Sequence, residues 1–136
     1  MKNEHFSYRQ SCFAMAVFGC TAFILGLVTI LYPSYMINAL NLSESDTAGL
    51  RSTIALNGIA STNMGAYYLY MVYHKVVPFF KATVIFRLLV TVPVILYWYF
   101  VHGQDSFLSI ALWEAVGALW VFGALWYDTR RLGVVG

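Results

Sequence analysis

Four apolar runs, each close to the length of a bilayer crossing, limit this chain to one kind of fold. They cover roughly residues 11–32, 50–73, 78–100 and 106–127. About 20 residues of α-helix cross the hydrocarbon core. No water is present there to satisfy stray backbone N–H and C=O groups, and a helix satisfies them internally. The composition agrees: the 136 residues are 60% hydrophobic and only 10% charged, where an average soluble domain carries about 25% charged residues. The expected architecture is all-α: one integral membrane domain over residues 1–136, built as a four-transmembrane-helix bundle. The net charge of +2 and the absence of a basic run give no reason to expect nucleic acid as a partner.

Local signals set the boundaries. Pro33 ends the first run. Ser43 and Asp46 form a capping-box pattern, so the second helix is expected to begin near Glu44. Val77-Pro78 separates the second and third runs, and Gly103 with Asp105-Ser106 the third and fourth. The apolar pattern continues past Pro93, which predicts a kinked helix rather than a terminated one. Tyr35–Leu42 reads as a short interfacial helix or connector. Cys12 and Cys20 are eight residues apart in the first run, too far along one helix to bridge. Val17–Cys20 looks faintly like a lipoprotein cleavage box, but apolar residues continue beyond it, so the first run is expected to be retained as a span.

Charge orients the bundle. With the runs alternating in direction, one side collects Lys2, Arg9, Lys75, Lys81, Arg130 and Arg131, and the other only Arg51 at its edge. The positive-inside rule then places both termini in the cytoplasm. Two charges remain inside the runs: Arg87 in the third and Glu114 in the fourth. A charge at hydrocarbon depth is costly, so such residues face the bundle interior and pair. At ~1.5 Å per residue, Glu114 lies about 12 Å from the extracytoplasmic side, Asn57 about 10 Å and Arg87 about 20 Å, with an arginine long enough to reach back. Thr83, Arg87 and Thr91 share one stripe, and Glu114 sits beside Gly117 and Ala118. The second run is unusually polar, with an inward ridge expected from Asn57, Ser61 and Gly65 and with Asn63 projecting elsewhere. Gly19 and Gly26 are a heptad apart, as are Gly58 and Gly65; such small residues let membrane helices approach closely. Trp113, Trp120 and Tyr127 make a further heptad line.

Pro33, Gly49-Leu50-Arg51, Asn57-Gly58, Met64-Gly65, Phe86-Arg87-Leu88 and Trp113-Glu114 together resemble the DoxX-like group of small four-helix membrane proteins. The resemblance covers roughly residues 30–125. It implies a four-helix bundle with an internal polar site and says little about activity.

The residues themselves point to acid/base chemistry. A carboxylate in a desolvated bundle, Glu114, can take a proton from water or from an amphipathic substrate, and Arg87 can hold developing negative charge. These two are the catalytic candidates; Arg51, Asn57, Ser61 and Trp113 are the candidates for binding substrate. Epoxide opening by a hydrolase or cyclase, or double-bond isomerisation, suits such groups without a cofactor. His5 and His74 fall on one side and His102 on the other, so no metal site is expected. His102, Asp105 and Ser106 are crowded into one loop and read as helix capping rather than a catalytic relay. The alternative is a non-catalytic membrane subunit or carrier, handling a quinone, an ion or a partner protein, in which Arg87–Glu114 is a helix clamp. The expected partners are the lipid bilayer, an amphipathic small molecule and a second copy of the chain.

Overall fold

The structure, a computed structural model, describes residues 8–42 and 47–133. The expected Ser43–Asp46 capping box and the helix start near Glu44 lie outside the described residues. Regular structure among those described is entirely helical: α1 (Arg9–Leu31), α2 (Pro33–Ala39), α3 (Thr47–Tyr73), α4 (Val77–His102) and α5 (Asp105–Arg131). Helices α1, α4 and α5 are long and apolar enough to cross a membrane. Helix α3 is not among these three. It has 27 residues, about 40 Å of helix, but Arg51, Asn57, Ser61, Thr62 and Asn63 dilute its apolar character.

The breaks follow from backbone chemistry. Pro33 opens α2 in a first-turn position that needs no N–H. Lys75 takes a left-handed φ of 53° after α3, and the Val76 N–H reaches back to the Met71 carbonyl at 3.0 Å. That bond satisfies a carbonyl the helix end would otherwise leave open. Gly103, at φ 64°, closes α4 and donates to the Tyr99 carbonyl at 2.7 Å. Inside α4 the turn Arg87–Thr91 is widened to a π turn, in which the Val92 N–H donates to the Arg87 carbonyl. Pro93 follows immediately. Its ring collides with a carbonyl four residues back and it offers no N–H, so the wider turn accommodates it without ending the helix.

The described chain divides into two compact units, with the divisions falling inside α1 and near the end of α3. The first comprises the start of α1, through Met15, and the chain from Met71 onward. Here α4 and α5 form a hairpin packed along its whole length. The inward line of α5 is made of small and branched residues, with Ala111, Gly117, Ala118, Val121, Ala124 and Leu125 buried. Phe80 and Val84 are buried on α4. Phe13 of α1 meets Trp120 edge to face, at 6.3 Å between ring centroids.

The second unit, Ala16–Tyr70, is organised by glycine. Helices α1 and α3 cross in opposite directions, with Gly19 against Gly65 and Gly26 against Gly58. A Cβ on Gly26 would lie 2.5 Å from the Thr62 nitrogen and 2.7 Å from the Gly58 oxygen. A Cβ on Gly65 would lie 2.7 Å from both the Gly19 oxygen and the Phe23 Cα. Backbone therefore touches backbone. Between the two glycine pairs, the Ser61 hydroxyl donates to the Ala22 carbonyl at 2.9 Å. The two heptads seen separately in the sequence are the two halves of one seam.

Candidate functional site

The two charges buried in the apolar runs meet. Arg87 Nε lies 3.3 Å from Glu114 Oε2, joining α4 to α5 within the first unit. Arg87 is 15 residues before the end of α4, and Glu114 nine residues after the start of α5. At ~1.5 Å per residue, the arginine Cα is about 9 Å further from the connecting turn than the glutamate. The guanidinium reaches back over that offset, as a long cationic side chain does when its backbone sits in apolar surroundings.

Local structure fixes both partners. Arg87 begins the π turn, so its carbonyl is engaged by the Val92 N–H while its side chain points toward α5. Glu114 occupies the inward line of α5 together with Val121 and Asp128, each a heptad further on. Gly117 and Ala118 beside it are small enough for α4 to come close. Thr83, on the same stripe as Arg87, spends its hydroxyl on the Phe79 carbonyl of its own helix, 2.8 Å away. The Arg87 side chain is 11% exposed and that of Glu114 22%. Glu114 is thus paired yet reachable. A carboxylate so placed can accept a proton from a molecule arriving at its open side, and the guanidinium can hold negative charge that develops next to it.

The other candidates have varied settings. Arg51, Asn57 and Ser61 lie on α3 in the second unit. The expected inward ridge of Asn57, Ser61 and Gly65 divides: Gly65 is buried, Ser61 is half-buried in the seam, and Asn57 is exposed. An i, i+4, i+8 row advances about 40° around the helix at each step, whereas the seam follows the heptad that contains Gly58 and Gly65. Asn57 is therefore carried off the packed face. Arg51 and Asn63 are also exposed. Trp113 is 52% exposed, on the outer line of α5 with Trp120 and Tyr127 rather than on the Glu114 line. His102 stacks on Trp98 with ring centroids 4.6 Å apart. Among the described residues no three His, Cys, Asp or Glu side chains gather as a metal site would require.

A second buried acid was not anticipated from the sequence. Asp128, in the last turn of α5, is 4% exposed, and Ser11, in the first turn of α1, is wholly buried. Asp128 Oδ2 accepts the Ser11 backbone N–H at 2.8 Å and the Ser11 hydroxyl at 2.7 Å. The carboxylate thus caps another helix: it satisfies an N–H that the first turn of α1 leaves open and sits at the positive end of that helix's dipole. One sequence signal was available, namely that Asp128 repeats the Glu114 position two heptads on. Comparison with protein-family models, curated proteins and solved structures finds no match to this chain.

Proposed function

We propose that the chain is a four-span membrane bundle, DoxX-like in plan, with both termini cytoplasmic and with α3 crossing beside α1. The glycine seam supports this. Its two contacts are seven residues apart on each helix, about 10 Å of axis, and close backbone approach through small residues is how membrane helices associate. Orientation rests on the basic residues at the start of α1, the α3–α4 turn and the end of α5. Single cysteines at positions 3 and 104, in a Cys12→Ala, Cys20→Ala background, test it. An impermeant reagent applied to intact cells should label position 104 and leave position 3 unlabelled; the reverse pattern would overturn the orientation.

Within that bundle, Glu114 is the acid/base group of an enzyme acting on an amphipathic, lipid-like substrate. The observation that carries this reading is the 3.3 Å pair in which Glu114 keeps 22% exposure. For an epoxide, Glu114 takes a proton from water as the water oxygen bonds to a ring carbon. The C–O bond breaks, and Arg87 holds the resulting alkoxide until it is protonated, giving a diol. A double-bond isomerisation would use the same base to remove a proton at one carbon and return it at another. The second reading, a non-catalytic subunit or carrier, is favoured by the contact itself, since an ion pair between α4 and α5 clamps the hairpin. Diol formation from a panel of long-chain epoxides, and isomer formation from a panel of unsaturated amphiphiles, separate the two. Turnover by the native chain that is lost in folded Glu114→Gln supports the enzyme. Full turnover in that variant, or none in the native chain, leaves the clamp.

A further inference from the structure

We infer that one end of the first unit binds the phosphate headgroups of anionic phospholipids. The inference rests on the chain being membrane-inserted. Three observations converge on it. The first is position. The α4–α5 hairpin brings the start of α4 to the end of α5, and the Ser11–Asp128 contact holds the start of α1 at that same end. Exposed Arg9, Lys75, Lys81, Arg130 and Arg131 are thereby gathered on one rim.

The second is the placement of the acids. The described residues contain three carboxylates, Asp105, Glu114 and Asp128. Asp105 starts α5 at the opposite end, and Glu114 is held by Arg87. Asp128 is at the cationic end, but it is buried and turned onto Ser11. The rim therefore presents positive charge with its nearest described acid facing inward.

The third is depth. The Arg130 guanidinium lies over the Trp126 ring, 3.8 Å from its centroid. Tryptophan and tyrosine sit at the headgroup level of a bilayer, and Tyr127 and Tyr73 are exposed at the same end. Stacking occupies the face of the guanidinium and leaves its in-plane N–H groups directed outward, the geometry that binds phosphate oxygens in pairs. A cation held at that level meets lipid phosphate, and a negatively charged leaflet attracts a cluster of such cations.

Trp126 is also the reporter. In a Trp98→Phe, Trp113→Phe, Trp120→Phe chain reconstituted in bilayers, fluorescence is quenched by lipids brominated near the headgroup. Brominated phosphatidylglycerol should quench Trp126 at several-fold lower mole fraction than brominated phosphatidylcholine. Arg130→Gln should reduce that preference about fivefold, the effect expected for one interfacial cation, while Gln104→Ala, at the opposite end of the α4–α5 hairpin, should leave it unchanged. Equal quenching by the two lipids would overturn the headgroup site while leaving membrane insertion intact. Quenching by neither would overturn insertion itself. The unsubstituted chain in detergent supplies an independent measurement: phosphatidylglycerol should raise its unfolding temperature, and an equal rise from inorganic phosphate would overturn the assignment to lipid.

Discussion

Replacing Gly65 with alanine adds a single methyl group, and the structure says where it would go. The new Cβ would lie 2.7 Å from the Gly19 oxygen and from the Phe23 Cα, where ordinary contact begins at 3.4 Å. At least the difference, 3.4 − 2.7 = 0.7 Å, and more at the Phe23 nitrogen, which lies nearer still, has to be found by parting α1 from α3, because the obstructing atoms belong to the backbone and cannot swing aside. Overpacking of this kind costs about 1–3 kcal/mol. Parting the helices also stretches the Ser61–Ala22 hydrogen bond, worth about 0.5–1.5 kcal/mol. Alanine returns about 0.5–1 kcal/mol through its better helix propensity. The balance is a loss of about 1–3 kcal/mol. Gly123 is the internal control, for a Cβ there meets nothing within 4 Å. Gly123→Ala should be neutral or stabilising by about 0.5–1 kcal/mol. Reversible unfolding of both variants in mixed micelles measures the contrast. If Gly65→Ala proves as stable as Gly123→Ala, the close backbone approach of α1 and α3 is wrong.

Other outcomes follow from the polar contacts. Arg87→Gln and Glu114→Gln should each lower stability, by somewhat less than the roughly 3–5 kcal/mol of a fully buried pair because both side chains keep some exposure. The double variant should recover part of the loss, and strictly additive losses in an unfolding cycle would show that the two do not interact. Asp128→Ala removes a charged acceptor from two donors and should cost about 2–4 kcal/mol; hydrogen exchange at the Ser11 amide should accelerate, and unchanged protection would refute the cap. Ser11→Ala keeps the backbone N–H contact and should cost less than Asp128→Ala in the same unfolding assay.

Much of the framework was legible in the sequence because it depends on short-range rules. The apolar runs specify helices wherever water is absent, and three of them have the length and composition to cross a membrane. Intramembrane charges must find partners, which made the meeting of Arg87 and Glu114 foreseeable from their types and depths. Heptad-spaced glycines mark a face at which helices can touch, so Gly19, Gly26, Gly58 and Gly65 announced a seam. Pro93 announced a disturbance in a helix that nevertheless continues.

Tertiary structure decided what periodicity leaves open. Periodicity gives the face of each helix and not which face meets which, so only the folded chain pairs Gly19 with Gly65 and Gly26 with Gly58. The same limit explains Asn57: its i, i+4 relation to Ser61 is real, but the seam follows a heptad that turns Asn57 outward. It also explains Asp128. In sequence it is an acid among basic residues at a helix end, indistinguishable from a solvated one. Its role exists only because the fold carries the first turn of α1 across 117 positions of chain to meet it. Unmet N–H groups at a helix start require an acceptor, but the requirement does not say which residue supplies it; here tertiary packing selects Asp128.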